Sequence, residues 1–137
     1  MDRSVLVDSS ALVAYFDRRD QYHRRADRSF RQLIRRQVSL LVAEFVVGET
    51  ATYCKRLSYE ACRSFLADMK AMSNSGMLTF VVPELEELSD ASAVVLELQD
   101  PDFTFFDALL VAMARRRGVG RIFSYDRAFA ALGLPSV

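Results

Sequence analysis

Four carboxylates in the 137-residue sequence stand where a carboxylate needs explaining: Asp8, Glu49, Asp107 and Asp126. Asp8 ends the apolar run Ser4-Val5-Leu6-Val7, and Asp126 follows Ile122-Phe123-Ser124-Tyr125. Asp107 sits within Phe103-Thr104-Phe105-Phe106-Asp107-Ala108-Leu109-Leu110, where burial without a partner is expensive, so it wants a cation. Acids gathered at one pole raise one another's pKa unless a cation neutralises them. An all-oxygen set without histidine suits Mg2+ or Mn2+ rather than zinc. Such a site hydrolyses phosphodiesters: the metal makes hydroxide from bound water and screens charge on the in-line transition state, and paired ions sit about 3.5–4 Å apart. The single histidine is His23, and no Ser/His/Asp arrangement competes.

Each acid also has a plainer role. An Asp before a helix is a common N-cap, and taken alone Asp126 fits that role better than it fits a metal ligand. A helix's first turn welcomes negative charge, which would suit Asp107, but Thr104 is the better cap and leaves Asp107 to point elsewhere. Glu44 and Glu49 are five residues apart and point roughly 140° from each other on a helix, so they cannot share a task. Glu44 falls in the first turn, where a surface acid is ordinary, whereas Glu49 shares a face with Phe45, Thr52 and Tyr53, and is the better ligand.

The elements that position these residues alternate. Ser4 to Val7 reads as a buried strand turning through Ser9-Ser10 into a helix at Ala11 to Phe16. After a polar loop at Arg18 to Gln21, a helix from about Tyr22 to Arg36 has Ala26, Phe30, Leu33 and Ile34 inward. Val38 to Val42 is a second strand, followed by helices over Ala43 to Arg56 and from Leu57-Ser58 to the Ser73-Asn74-Ser75-Gly76 stop. Met77 to Val82 is a third strand, closed by Pro83, and the next helix opens on Glu84, Glu86 and Glu87 and ends near Asp100-Pro101. Phe105 to Arg117 is helical with Gly118 as its C-cap, Arg121 to Ser124 is a fourth strand, and Asp126 to Leu132 a short last helix. Gly118-Val119-Gly120 is punctuation, not a phosphate loop. Strands alternating with helices and lacking hairpin signals predict a parallel sheet covered on both faces, with ligands beyond the carboxyl ends of its strands.

The length fits a single domain over residues 1–137, without repeat or linker. With 51% hydrophobic residues, ten of them Phe, and 18 acids against 18 bases, the composition is that of a globular protein rather than a disordered tail. The charge is unevenly spread: eight arginines fall between Arg18 and Arg36, whereas Glu84 to Asp102 carries seven acids and no base. Sixteen Arg against two Lys leans towards nucleic-acid phosphate recognition, with Arg24, Arg28 and Arg31 as backbone contacts; a solvated Arg-rich helix face is the alternative. Cys54 and Cys62, eight apart with no CxxC, indicate neither a zinc site nor a disulfide framework. No apolar run approaches the roughly 20 residues of a membrane span, and the charged N-terminus lacks signal-peptide character, so the expected compartment is the cytoplasm.

These motifs resemble the PIN-domain nucleases, and more closely the toxin-type ribonucleases of VapBC-like toxin–antitoxin systems and their stand-alone relatives. Val5-Leu6-Val7-Asp8-Ser9-Ser10-Ala11-Leu12 is similar to the family's opening strand with its first metal-binding Asp, supported by Ser9. Val46-Val47-Gly48-Glu49-Thr50 resembles the segment carrying its helical Glu. Thr104-Phe105-Phe106-Asp107-Ala108 is similar to its Ser/Thr-x-x-Asp-Ala segment, which makes Asp107 the third acid and Thr104 its hydroxyl support. Ser124-Tyr125-Asp126-Arg127-Ala128-Phe129 is similar to the fourth motif, with Asp126 and Ser124. Phe106 departs from the pattern where relatives often have a second hydroxyl, and little chain follows Leu134 for the edge strand the family usually adds.

The resemblance implies a three-layer α/β/α domain with four or five parallel strands, RNA cleavage dependent on Mg2+ or Mn2+, a homodimer, and in toxins a cognate antitoxin. A catalytically inactive scaffold that binds RNA or protein, and a structure-specific DNA nuclease, are the alternatives within the fold. A receiver-like signalling module also places acids at strand ends. It needs an acceptor Asp after the third strand and a late lysine, whereas Val82 is followed by Pro83-Glu84 and no lysine follows Lys70.

Overall fold

The computed structural model describes residues 3–137. Its elements are β1 (Ser4–Val7), α1 (Ser9–Phe16), α2 (His23–Arg35), β2 (Ser39–Ala43), α3 (Glu44–Leu57), α4 (Tyr59–Asn74), β3 (Leu78–Val81), α5 (Leu85–Val94), α6 (Phe105–Arg117), β4 (Ile122–Phe123) and α7 (Ala128–Ala131). The strands form one parallel sheet in the order β3-β2-β1-β4, flanked by helices as a three-layer α/β/α domain. Leu6 of β1 is level with both Leu41 and Ile122. Val5, Leu6 and Val7 are buried, as are Leu40 and Val42, so the two inner strands consist of residues that both helical layers cover.

The chain winds from β1 outward to β2 and β3, then returns to place β4 on the other side of β1. The order reverses between β1 and β4, and at such a switch point an open crevice forms beyond the strand ends. Asp8 follows β1 there, and its N–H donates to Phe123 O at 2.9 Å.

Two helices gain most of their definition at their ends. α6 opens with a reciprocal cap at Thr104 and closes on Gly118, whose φ of 68° is a left-handed conformation that glycine adopts without strain. Its Ala108 to Ala114 are all buried, so the helix lies inside the molecule with α5 packed on it. α5 opens with a cap between Glu84 and Glu87, the acids expected at its start.

The expected strand and helix limits shift by a residue or two, with two larger differences. α5 ends at Val94, not near Asp100, because Leu96 N–H and Glu97 N–H bond to Ala93 and Val94 three residues back and tighten the chain into turns. The last helix shrinks to a single turn, since Asp126 and Arg127 form the turn that precedes it. As for a fifth strand, the sheet edge carries only a parallel bridge between Ile122 and Ser136, held by Ile122 N–H to Pro135 O and Val137 N–H to Ile122 O. Among the described residues, no helix is long and apolar enough to cross a membrane.

Candidate active site

Asp8 lies at the carboxyl end of β1. It is buried, with 6% of its surface exposed, and its Oδ2 accepts from two hydroxyls, Ser10 Oγ at 2.7 Å and Ser124 Oγ at 2.8 Å. The hydroxyls are themselves fixed, because Ser10 Oγ accepts Tyr125 N–H and Ser124 Oγ accepts Asp126 N–H, each at 3.0 Å. With both protons directed at Asp8, the 3.2 Å approach of the two serine oxygens is a contact without a shared proton. Ser136 Oγ donates to Ser124 O at 2.6 Å and ties the C-terminal segment to the same wall. Burial raises the Asp8 pKa, and the two hydroxyls with the backbone N–H groups of Ser9 and Ser10 oppose that shift.

Ser9 therefore acts through its backbone, and the side-chain support expected of it belongs to Ser10. The sequence contained the signal in the doublet Ser9-Ser10. Which of the two faces Asp8 depends on how the strand turns into α1, which spacing does not show.

Asp107 reaches the same pole from α6. Its N–H donates to Thr104 Oγ1 at 3.1 Å, while its Oδ2 accepts Thr104 N–H at 2.9 Å. Thr104 is the cap, but Asp107 returns the bond, so only one of its oxygens points elsewhere. Asp107 is partly buried, and its pKa is raised first by burial and then by the charges of Asp8 and Asp126.

Glu49 stands at the exposed rim on α3, and its pKa is raised by desolvation and by the charges of Asp8 and Asp107. Phe45, one helical turn earlier, packs against Phe106 with centroids 5.4 Å apart. That ring pair fastens α3 to the start of α6 and brings Glu49 to Asp107. Phe106, the departure from the family pattern, thus holds two acid-bearing helices together.

Asp126 is exposed, and its Oδ1 accepts Ala128 N–H at 2.9 Å, so it holds the turn that leads into α7, whose N-cap is Arg127. It is nonetheless within charge reach of Asp107. The structure therefore brings all four acids into one electrostatic neighbourhood. Among the described residues no base forms an ion pair with any of them, and no three acids close into a ready cage for an ion.

The expected basic residues are carried by α2. Arg24 and Arg28 are exposed on α2, and Arg31 Nε bonds Asp27 Oδ2 at 3.0 Å. The arginine at the pole is Arg25, whose guanidinium carbon lies 5.5 Å from the centroid of the Tyr125 ring, on which Tyr22 also stacks. Within the run of eight arginines nothing marks Arg25, because its position comes from an aromatic residue a hundred positions away.

A parallel α/β sheet with acids converging at its switch point is the architecture of the PIN domain, and the sequence matches that family over residues 5–134; the chain belongs to the PIN domain family. Among solved structures it is similar to VapC20 of Mycobacterium tuberculosis, at 21% identity, a TM-score of 0.80 and 95% coverage of each chain. It is also similar to PAE2754 of Pyrobaculum aerophilum, at 19% identity and a TM-score of 0.66, covering 98% of this chain and 89% of that one. Comparison with curated protein sequences gave no match.

Proposed function

We propose that this protein is an endoribonuclease that hydrolyses RNA phosphodiester bonds with Mg2+ or Mn2+ held by Asp8, Glu49, Asp107 and Asp126. The observation that carries this reading is that three of these acids are pushed up in pKa, Asp8 by burial and Glu49 and Asp107 by burial and by neighbouring acids, with no basic side chain among the described residues in an ion pair with them. An oxygen-only donor set of that kind fits a hard divalent cation. Asp8 and Asp107 would be the firmest ligands, Glu49 would close the rim, and Asp126, already bonded to Ala128, would act more weakly. When bound, such ions lower the pKa of water and screen charge on the transferring phosphoryl group.

The protein's own contribution is preorganisation. Ser10 and Ser124 fix the rotation of the Asp8 carboxylate, Thr104 fixes Asp107, and the Phe45–Phe106 contact sets the gap between α3 and α6. Small misplacements of such groups are costly to rate.

The reading extends to the toxin of a toxin–antitoxin pair, or a stand-alone relative of one, acting in the cytoplasm as a homodimer. Its support is the likeness to VapC20, which is described as a toxin that cleaves the sarcin–ricin loop, and structured RNA is accordingly the substrate class to test first. A DNA-binding antitoxin encoded beside the gene, co-purifying with the protein and silencing it, is the expected partner.

Purified protein should cleave RNA in Mn2+ or Mg2+ and not in EDTA. Asp8→Asn or Asp107→Asn should lower the rate by more than about 100-fold, beyond the 10–100-fold typical of outer-shell changes, with the circular dichroism unchanged. Cleavage that survives EDTA or the double substitution overturns the mechanism, and preferential cleavage of DNA reassigns the substrate.

A further inference from the structure

Next to the acids lies a cleft of about 370 Å3 whose lining includes Tyr22, Arg25, Ser124, Tyr125, Asp126 and Arg127. That volume lies within the roughly 300–1,000 Å3 range of small-ligand sites. The cleft and the acid pole share a wall. Asp126 N–H bonds Ser124 Oγ, and Ser124 Oγ bonds Asp8 Oδ2.

Three observations say what this cleft presents. Tyr22 stacks on Tyr125 at 4.5 Å with the rings 5° from parallel, and the Arg25 guanidinium lies against the same ring, so Tyr125 anchors a cation and leaves little platform for a base. Arg25 and Arg127 are exposed and have no carboxylate partner among the described residues, whereas Arg115, Arg116 and Arg117 of α6 are each held by an acid. Asp20, whose charge reaches Tyr125, uses its Oδ1 to accept Tyr22 N–H. The Tyr125 hydroxyl is buried and has no hydrogen-bond partner among the described residues.

We infer that this cleft is a phosphate subsite for the RNA strand, in which Arg25 and Arg127 bind the oxygens of a backbone phosphate adjacent to the one cleaved at the acids. The inference rests on the ribonuclease reading. Guanidinium forks match phosphate oxygens two at a time, and a fork held by an aromatic ring loses less freedom on binding. The second phosphate would fix the strand's register, so that a single bond faces Asp8 and Asp107.

The test uses the wild-type protein in EDTA and a single-stranded RNA whose cleavage site has been mapped. Methylphosphonate, which removes the charge of one phosphate, is placed at successive positions. Wild-type binding should weaken about tenfold at one position beside the cleavage site, the fold-change of a charge-assisted hydrogen bond. Arg25→Ala should lose a similar amount on unmodified RNA and become insensitive to methylphosphonate there. Arg25→Lys should recover only part of the affinity, since it restores the charge without the fork. In the cleavage assay Arg25→Ala should raise KM far more than it lowers kcat. Arg127→Ala, which disturbs no aromatic contact, serves as the second variant should Arg25→Ala lower the melting temperature.

If wild-type protein cleaves RNA while both alanine variants keep its affinity and its methylphosphonate profile, the subsite is overturned and the ribonuclease reading stands. If wild-type protein neither binds nor cleaves RNA, that reading has failed and the subsite with it. Displacement of RNA by polyglutamate at equal charge concentration overturns the subsite in favour of an acidic protein ligand.

Discussion

Asp8 is a buried carboxylate without a basic partner among the described residues, and two serine hydroxyls only partly offset its lost hydration. Its folded pKa lies above its unfolded value of about 3.9, so between the two the folded state keeps a proton that the unfolded chain has released. Stability therefore declines as pH rises through that window, and the deficit is complete above the folded pKa. Glu49 and Asp107 shift in the same direction, so without divalent ions the site stores repulsion at neutral pH. Asp8→Asn should accordingly raise the melting temperature in EDTA at pH 7, with the gain shrinking as pH falls towards about 4. Bound cations reverse the sign: an ion that binds only the folded state at 100 times its Kd adds about 2.7 kcal/mol. Thermal melts should show Mn2+ or Mg2+ stabilising the wild type by several degrees and Asp8→Asn or Asp107→Asn far less. A wild-type melt indifferent to both ions means that these acids are not ligands. Asp8 was legible in the sequence because a charge at the end of an apolar strand is conspicuous by type. Ser10 was not, because which of two adjacent serines faces Asp8 depends on the turn into α1.

α5 and α6 show how the helices are held at the ends that matter. Glu87 is 2% exposed and its carboxylate does two things: it caps α5 through Glu84 N–H at 2.7 Å, and it receives Arg117 Nε at 2.7 Å and Nη2 at 2.8 Å. Arg117 Nη2 also donates to Val82 O, so one guanidinium joins the end of α6, the start of α5 and the exit from β3. The guanidinium holds the Glu87 carboxyl below its usual range. Its stabilisation is thus present above an unfolded pKa of about 4.3 and is lost as pH falls through the folded value, opposite in sign to Asp8. Arg117→Met strands a buried carboxylate and should cost about 3 kcal/mol, the low end of the range for breaking a buried pair, because the guanidinium is 26% exposed. Chemical denaturation at pH 7 measures it, and a loss under about 1 kcal/mol reduces the pair to a surface contact. At this scale much was legible from local signals: the strands from their apolar runs, the start of α5 from Pro83 and its acids, the end of α6 from Gly118. The early end of α5 and the single bridge at Ser136 were not, because each is decided by packing and by backbone bonds between distant segments.

The formal charge of the whole chain is zero, yet the two halves of that balance are treated differently. Three of the seven acids from Glu84 to Asp102 are answered within the fold, since Arg115, Arg116 and Arg117 pair with Glu97, Asp90 and Glu87. The arginines of α2 are not answered in the same way: Arg31 has Asp27, while Arg24 and Arg28 are exposed without an ion pair among the described residues. The field left over is therefore positive along α2, whose first turn reaches the acid pole through Tyr22 and Arg25. For a polyanion substrate that geometry draws the strand along α2 towards the acids, without which their own charge would repel it. Replacing Arg24, Arg28 and Arg31 together by Ala should weaken RNA binding at every sequence tested. It should also flatten the dependence of log K on log salt by about 0.7 for each phosphate that the variant no longer neutralises. Arg31 should contribute least, because Asp27 already engages it. Fluorescence anisotropy in EDTA over a range of salt from about 50 to 200 mM measures the slope, and the weakening should be uniform along the strand, unlike the position-specific effect expected at Arg25. A slope that does not change makes these three a solvated helix face and leaves the recognition of RNA to the residues at the pole.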